Sequence, residues 1–165
     1  MRYHNRVLLS LGSNRHNREY NLIKAVTILK KNVTSIKKSS IYLSSPVDYK
    51  KQNNFLNMTI IGSTRLAPLA LLHFLKQIEK KMGRVKTVAQ GPRIIDIDII
   101  FFNKLEVKSP DLILPHAAYY NRLFVLIPLL EIAPAWVDPV KNKKVQTIKE
   151  QNCFNGQYLH LYKTR

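Results

Sequence analysis

The chain has 165 residues, 45% of them hydrophobic and 22% charged, which predicts one globular domain over residues 1–165 with a core of its own. A net charge of +17 favours anionic partners such as nucleotides, but the basic residues are spread along the chain and make no nucleic-acid tract. No apolar run reaches the roughly 18 residues of a membrane helix, no signal-peptide cleavage pattern follows the first apolar run, and the single Cys153 fits a reducing cytoplasm.

Residues 6–11, RVLLSL, read as a short buried strand, with Gly12-Ser13-Asn14 as the turn that ends it. From 19 to 31, Leu22, Ile23, Val26 and Leu29 recur at helical spacing. Residues 33–42 alternate weakly and are a candidate strand; residues 43–54, rich in Ser, Asn and Pro, are a loop. Residues 55–64 form the next strand. Pro68 suits the first turn of a second helix, which Gly83 ends. Residues 84–90 are polar and basic, and are expected to be mobile without ligand and to close as a lid. Helical spacing returns over 121–132 in spite of Pro128, which makes the C-terminal part helical; the tail from Pro134 is less periodic, with Trp136 as a packing anchor. The order strand, helix, strand, strand, helix, strand predicts an α+β fold, a ferredoxin-like antiparallel sheet with helices packed on one face.

The chemistry concentrates in residues 91–102, GPRIIDIDIIFF. Strand side chains alternate, so Asp96 and Asp98 leave one face while Ile95, Ile97 and Ile99 leave the other. Two carboxylates so placed suit Mg²⁺, which takes one or two carboxylates and completes its shell with substrate phosphates. The bland alternative is a solvated strand face. Arg84, Lys86 and Arg93 nearby favour phosphoryl-type transfer, which rests on positioning and charge neutralisation. Neither a G-x-x-x-x-G-K-[ST] loop nor a kinase glycine-rich loop is present.

Several segments together resemble the 6-hydroxymethyl-7,8-dihydropterin pyrophosphokinase family of folate biosynthesis. They are LGSN at 11–14, FLN at 55–57, IEKKMGR at 78–84, GPRIIDIDIIFF at 91–102, LPH at 114–116 and NRLFVLIPLLEIAP at 121–134. The resemblance implies transfer of the β,γ-pyrophosphate of ATP to the pterin's hydroxymethyl oxygen, with release of AMP. It places two Mg²⁺ on Asp96 and Asp98, one of which would also orient or deprotonate the hydroxyl. It makes Arg84 and Arg93 catalytic and puts Glu79, Lys86, Ile99, His116 and Arg122 at the nucleotide. Phe55 and Phe124 would stack on the pterin, Asn57 would read its amide edge, and Ser44 and Val47 would line its loop. A flat ring with an amide-and-amine edge calls for such stacking and a bidentate partner. ATP and the pterin are the expected partners, for a monomer with no specific nucleic acid.

The sequence departs from the family pattern at Gln90, where an aromatic is common, at Lys86, where arginine is common, at Phe55, where tyrosine is frequent, and at Ala117, where some members have tyrosine. A competing reading, a basic RNA-binding module, lacks the paired aromatic motif of such sheets. A third is a non-catalytic family member. AMP release from ATP with and without the pterin separates these readings.

Overall fold

The computed structural model describes residues 4–47, 49–85 and 90–165. β1 (Asn5–Ser13) leads into α1 (Arg18–Leu29), then β2 (Val33–Lys38), β3 (Ile41–Ser44), β4 (Phe55–Thr64), α2 (Pro68–Lys81) and β5 (Asp96–Phe102). The short strands β6 (Val107–Lys108) and β7 (Ile113–Leu114) pair with each other, and a 3-10 turn at Tyr119–Asn121 precedes α3 (Leu123–Ile132). A second small pair, β8 (Val137–Asp138) with β9 (Lys143–Lys144), is followed by α4 (Val145–Glu150) and β10 (Leu159–Lys163). The main sheet runs β10-β3-β4-β1-β5, with β2 beside the far end of β4. Its pairings are all antiparallel.

β1 and β4 are central, which explains why β1 reads as a continuous apolar run. On one face Val7, Leu9 and Leu11 pack with Ile97, Ile99 and the apolar sides of α1 and α2. On the other, Leu8, Ile61 and Phe101 pack under α3 and α4. Helices therefore cover both faces, a correction to the one-face expectation. The α+β class and the antiparallel sheet stand as expected. Asn17 caps α1 by accepting from the Tyr20 N–H at 3.0 Å. Pro68 opens α2, and Gly83 leaves it at φ +89°.

The weak alternation of 33–42 resolves into two strands, because Ser39 and Ser40 divert the chain. Ser39 Oγ accepts from the Thr59 N–H at 2.9 Å, and the Ser40 N–H meets Glu131 of α3 at 2.9 Å. α3 runs through Pro128, which forgoes a bond to the Phe124 carbonyl, and buried Val125, Leu126, Leu129 and Ile132 hold it in place. The turn expected at Gly12-Ser13 is still strand, and the chain turns only after Ser13. The C-terminal part is not simply helical, since β10 joins the main sheet beside β3. Where β1 meets β5 the register shifts between Leu8 and Leu9, which leaves Ile100 as an extra residue outside the ladder. The carbonyl of Ile100 accepts the His116 N–H at 3.0 Å.

Candidate active site

α3 covers only part of its face of the sheet. Beyond it lies a cleft of about 570 Å³, floored by Ser10 and Gly12. Ser10 pairs with Asp98 and Gly12 with Asp96 on one side, and Gly12 pairs with Asn57 on the other. The small residues of β1 thus form a trough between the carboxylates of β5 and the polar and aromatic side chains of β4. A Cβ on Gly12 would stand 3.1 Å from Asn57 Oδ1 and 3.7 Å from the Phe55 ring. Glycine lets both side chains lie across the floor.

The β5 side is charged. Asp96 binds both expected catalytic arginines, Arg84 Nη1 at 2.5 Å and Arg93 Nη1 at 2.6 Å, through different oxygens. Burial pushes the Asp96 carboxyl up, but Arg93 and Arg84 outweigh it and hold it below the usual carboxylate range. Asp98 is raised, by burial first and by the neighbouring Asp96 charge second. His116 Nε2 lies 3.9 Å from Asp98 Oδ2. Its Nδ1 accepts the Ala118 N–H at 3.2 Å, so the neutral ring carries its proton on Nε2, toward Asp98. Burial, and then the Arg122 charge, lowers the His116 pKa against the pull of Asp98.

Asn14 connects this charged side to the rest of the site. Its Oδ1 accepts the Arg93 N–H at 2.8 Å, and its own N–H donates to the Arg93 carbonyl at 3.1 Å. Its amide nitrogen donates to Gln52 Oε1 at 2.8 Å and to the Asn53 carbonyl at 3.1 Å. Arg93 is therefore held by its backbone as well as by its ion pair. The sequence marked Asn14 only as a turn residue within LGSN.

The β4 side is neutral. Asn57, buried, donates to Ser44 Oγ at 2.8 Å. Phe55 and Phe124 line the cleft with Ser44 and Val47. Each ring lies beside a guanidinium, Phe55 by Arg93 and Phe124 by Arg122, both at 5.8 Å. Gln52, Ser45 and Pro46 also line the cleft and were not singled out as site residues. Gln52 carried no signal beyond its place in a polar loop.

The structure changes two expectations. Glu79 is 2% exposed, and its oxygens bind Lys76 at 3.0 Å, Arg84 at 2.6 Å and the Ile97 N–H at 2.8 Å. Burial raises its pKa against those cations. It holds Arg84 and the edge of β5, and its oxygens are already engaged. Ile99 is 3% exposed within the core. Its side chain faces away from the cleft, so any contact with a nucleotide would fall to its backbone. His116 borders the carboxylates, and Arg122 and Phe124 line the cleft. Lys86 and most of the expected lid lie outside the described residues. Among the described residues no group of three or more His, Cys, Asp or Glu gathers as a metal cluster. Asp96 and Asp98 are the described carboxylates that line the cleft.

Residues 8–134 match the family model for 7,8-dihydro-6-hydroxymethylpterin-pyrophosphokinase. A Bacillus subtilis (strain 168) 2-amino-4-hydroxy-6-hydroxymethyldihydropteridine pyrophosphokinase is 46% identical over 126 residues, covering 75% of each chain. The Dictyostelium discoideum folic acid synthesis protein FOL1 is 42% identical over 156 residues, which is 94% of this chain but 24% of that protein. The chain thus spans about a quarter of one curated relative and three quarters of the other. The fold resembles a Plasmodium falciparum HPPK-DHPS wild-type crystal structure, with a TM-score of 0.73 at 18% identity, over 90% of this chain and 43% of that one. With the family model matching most of its length, the chain belongs to the 7,8-dihydro-6-hydroxymethylpterin-pyrophosphokinase family.

Proposed function

We propose that this chain transfers pyrophosphate from ATP to 6-hydroxymethyl-7,8-dihydropterin, giving AMP and the dihydropterin pyrophosphate for folate synthesis. The observation that carries the reading is one trough with a carboxylate pair on one side, its Asp96 held by two guanidiniums, and an amide with two phenyl rings on the other. The pterin's hydroxymethyl oxygen attacks the β-phosphorus. The new O–P bond forms as the bond from that phosphorus to the α,β-bridging oxygen breaks, and AMP leaves. Asp96 and Asp98 are the carboxylates lining the cleft among the described residues, and so the nearest bases for the hydroxyl proton.

Arg84 and Arg93 stabilise charge on the moving group, as preplaced cations in a partly buried site do. Both oxygens of Asp96 already touch them, so their release toward phosphate and the freeing of Asp96 accompany each other. Mg²⁺, two ions in this reading, would be held by Asp96 and Asp98 with triphosphate oxygens, neutralising charge and aligning an in-line displacement. The donor pair fits that ion, because two aspartates leave most of its shell to phosphate and water. Phe55 and Phe124 stack on the ring, and Asn57, oriented by Ser44, pairs with its amide edge. His116 and Arg122 sit where the triphosphate would approach.

A monomeric enzyme is part of the proposal. No described helix is long and apolar enough to cross a membrane, and a cytoplasmic setting is part of the proposal. The test is AMP release from ATP and Mg²⁺ with and without the hydroxymethyl-dihydropterin. Pterin-dependent AMP in equal amount to pterin pyrophosphate is expected, and its absence would overturn the reading.

A further inference from the structure

Residues 135–165 lie beyond the family match, yet two of them reach both walls of the cleft. Gln157 follows a turn in which Gly156 takes φ +73° and the Gln157 N–H donates to the Phe154 carbonyl at 3.0 Å. Its side-chain amide then bridges the backbone on either side of Arg122. Nε2 donates to the Asn121 carbonyl at 2.8 Å, and Oε1 accepts the Leu123 N–H at 3.0 Å. That N–H belongs to the first turn of α3, where Arg122 provides no side-chain cap. The next residue turns to the opposite wall. The Tyr158 N–H donates to Ser45 Oγ at 3.3 Å, the Ser45 N–H donates to the Tyr158 carbonyl at 3.4 Å, and Leu159 then pairs with Ser44.

We propose that Gln157 is a positioning residue for the pterin pocket. With Tyr158 it clasps the Arg122–Phe124 turn to the Ser44–Ser45 strand end and so fixes the width of the slot that receives the ring. The inference rests on the pyrophosphokinase reading of the cleft. Its physical basis is local. α3 is tied to β3 at its other end by Glu131, which accepts from Ser40 and Tyr42. Only the end bearing Phe124 borders the cleft, and there the amide of Gln157 spans the turn. A glutamine suits the task because it offers one donor and one acceptor on a single planar group. Without it, the Asn121 carbonyl and the Leu123 N–H turn to water, and the two walls lose a common tether.

The test uses the full chain with Gln157→Ala and Gln157→Met, the second keeping side-chain bulk without the amide. Pterin binding is followed by fluorescence titration in the presence of a non-hydrolysable ATP analogue, alongside steady-state kinetics and thermal melting. Loss of two hydrogen bonds predicts that both variants bind pterin about tenfold more weakly, with KM for pterin rising in parallel and kcat changed by less than about twofold. Amide exchange at Leu123 should quicken in both. Wild-type pterin affinity in Gln157→Met and Gln157→Ala would overturn the clasp, as would a lower melting temperature with unchanged pterin KM, which marks a purely structural residue. Unmodified protein that neither binds pterin nor releases AMP would overturn the pyrophosphokinase reading, and the clasp with it. An active wild type with indifferent variants overturns the clasp alone.

Discussion

The two sides of the cleft are built by opposite means. The β5 side is a chain of charges, running Lys76, Glu79, Arg84, Asp96 and Arg93, in which each ion is offset by the next. The β4 side is neutral, and its Asn57 is set by one hydrogen bond to Ser44 and by the absence of a side chain at Gly12. A charged network can exchange partners when a ligand brings its own charges. A neutral amide in a close-fitting slot has few alternatives. Chemistry should therefore be lost by changes on the first side and recognition by changes on the second.

The strongest test of that division is Asp96→Ala or Asp98→Ala. Turnover should fall on the order of a thousandfold or more, while the fold survives because both side chains face the cleft. Near-normal rates for either variant at saturating Mg²⁺ would break the comparison at its base. Arg84→Ala and Arg93→Ala come next. Each should slow the chemical step about a hundredfold, read by single-turnover kinetics, with pterin affinity little changed. Arg84→Ala also strands Glu79, which is buried with Lys76 as its remaining cation, so it should lower the melting temperature more than Arg93→Ala does.

On the neutral side, Asn57→Ala should cost about 1–3 kcal/mol in pterin binding by calorimetry and leave ATP-analogue binding nearly unaltered. Equal losses for both ligands would merge the two sides into one. Gly12→Ala should be milder, about 1 kcal/mol of pterin affinity, because the added Cβ meets the end of the Asn57 side chain and not backbone.

The smallest effect lies behind β3. Burial, then Glu131, pushes Tyr42 up from 10.0 to about 12. A raised acid pKa means that the folded state favours the neutral phenol. This contribution to stability is whole below about pH 10 and is lost as pH rises toward the folded value. Ultraviolet titration of the folded protein should show one fewer tyrosine ionising near pH 12 in Tyr42→Phe.

Much of this was legible in the sequence because it depends on local period. The two-residue repeat set Asp96 and Asp98 on one face, Asn57 and Phe55 share a face for the same reason, and Pro68 and Gly83 bounded a helix correctly. What stayed hidden depends on contacts between distant segments. Glu79 looks like a helix-surface charge until β5 brings it the Ile97 N–H. Asn14 looks like a turn residue until Arg93 folds against it. β10 was passed over because its alternation, Leu159-His160-Leu161, is too short to separate from a polar tail, and its side chains are mostly exposed. The helices on the second face were missed although β1 carries apolar residues of both parities, Leu8 between Val7 and Leu9, which already indicates burial on both sides.

The extra residue in β5 has a consequence for how the chain would tolerate shortening. Ile100 stands outside the ladder, so its removal would give β1 and β5 an unbroken pairing and leave Asp96 and Asp98 opposite the same partners. The lost residue is also the one whose carbonyl receives the His116 N–H. A chain lacking it would gain regular strand contacts and give up a buried isoleucine, and the histidine beside Asp98 would lose its seat. An irregularity that looks like slack in the sheet is therefore what lets the loop after β7 dock at the carboxylates.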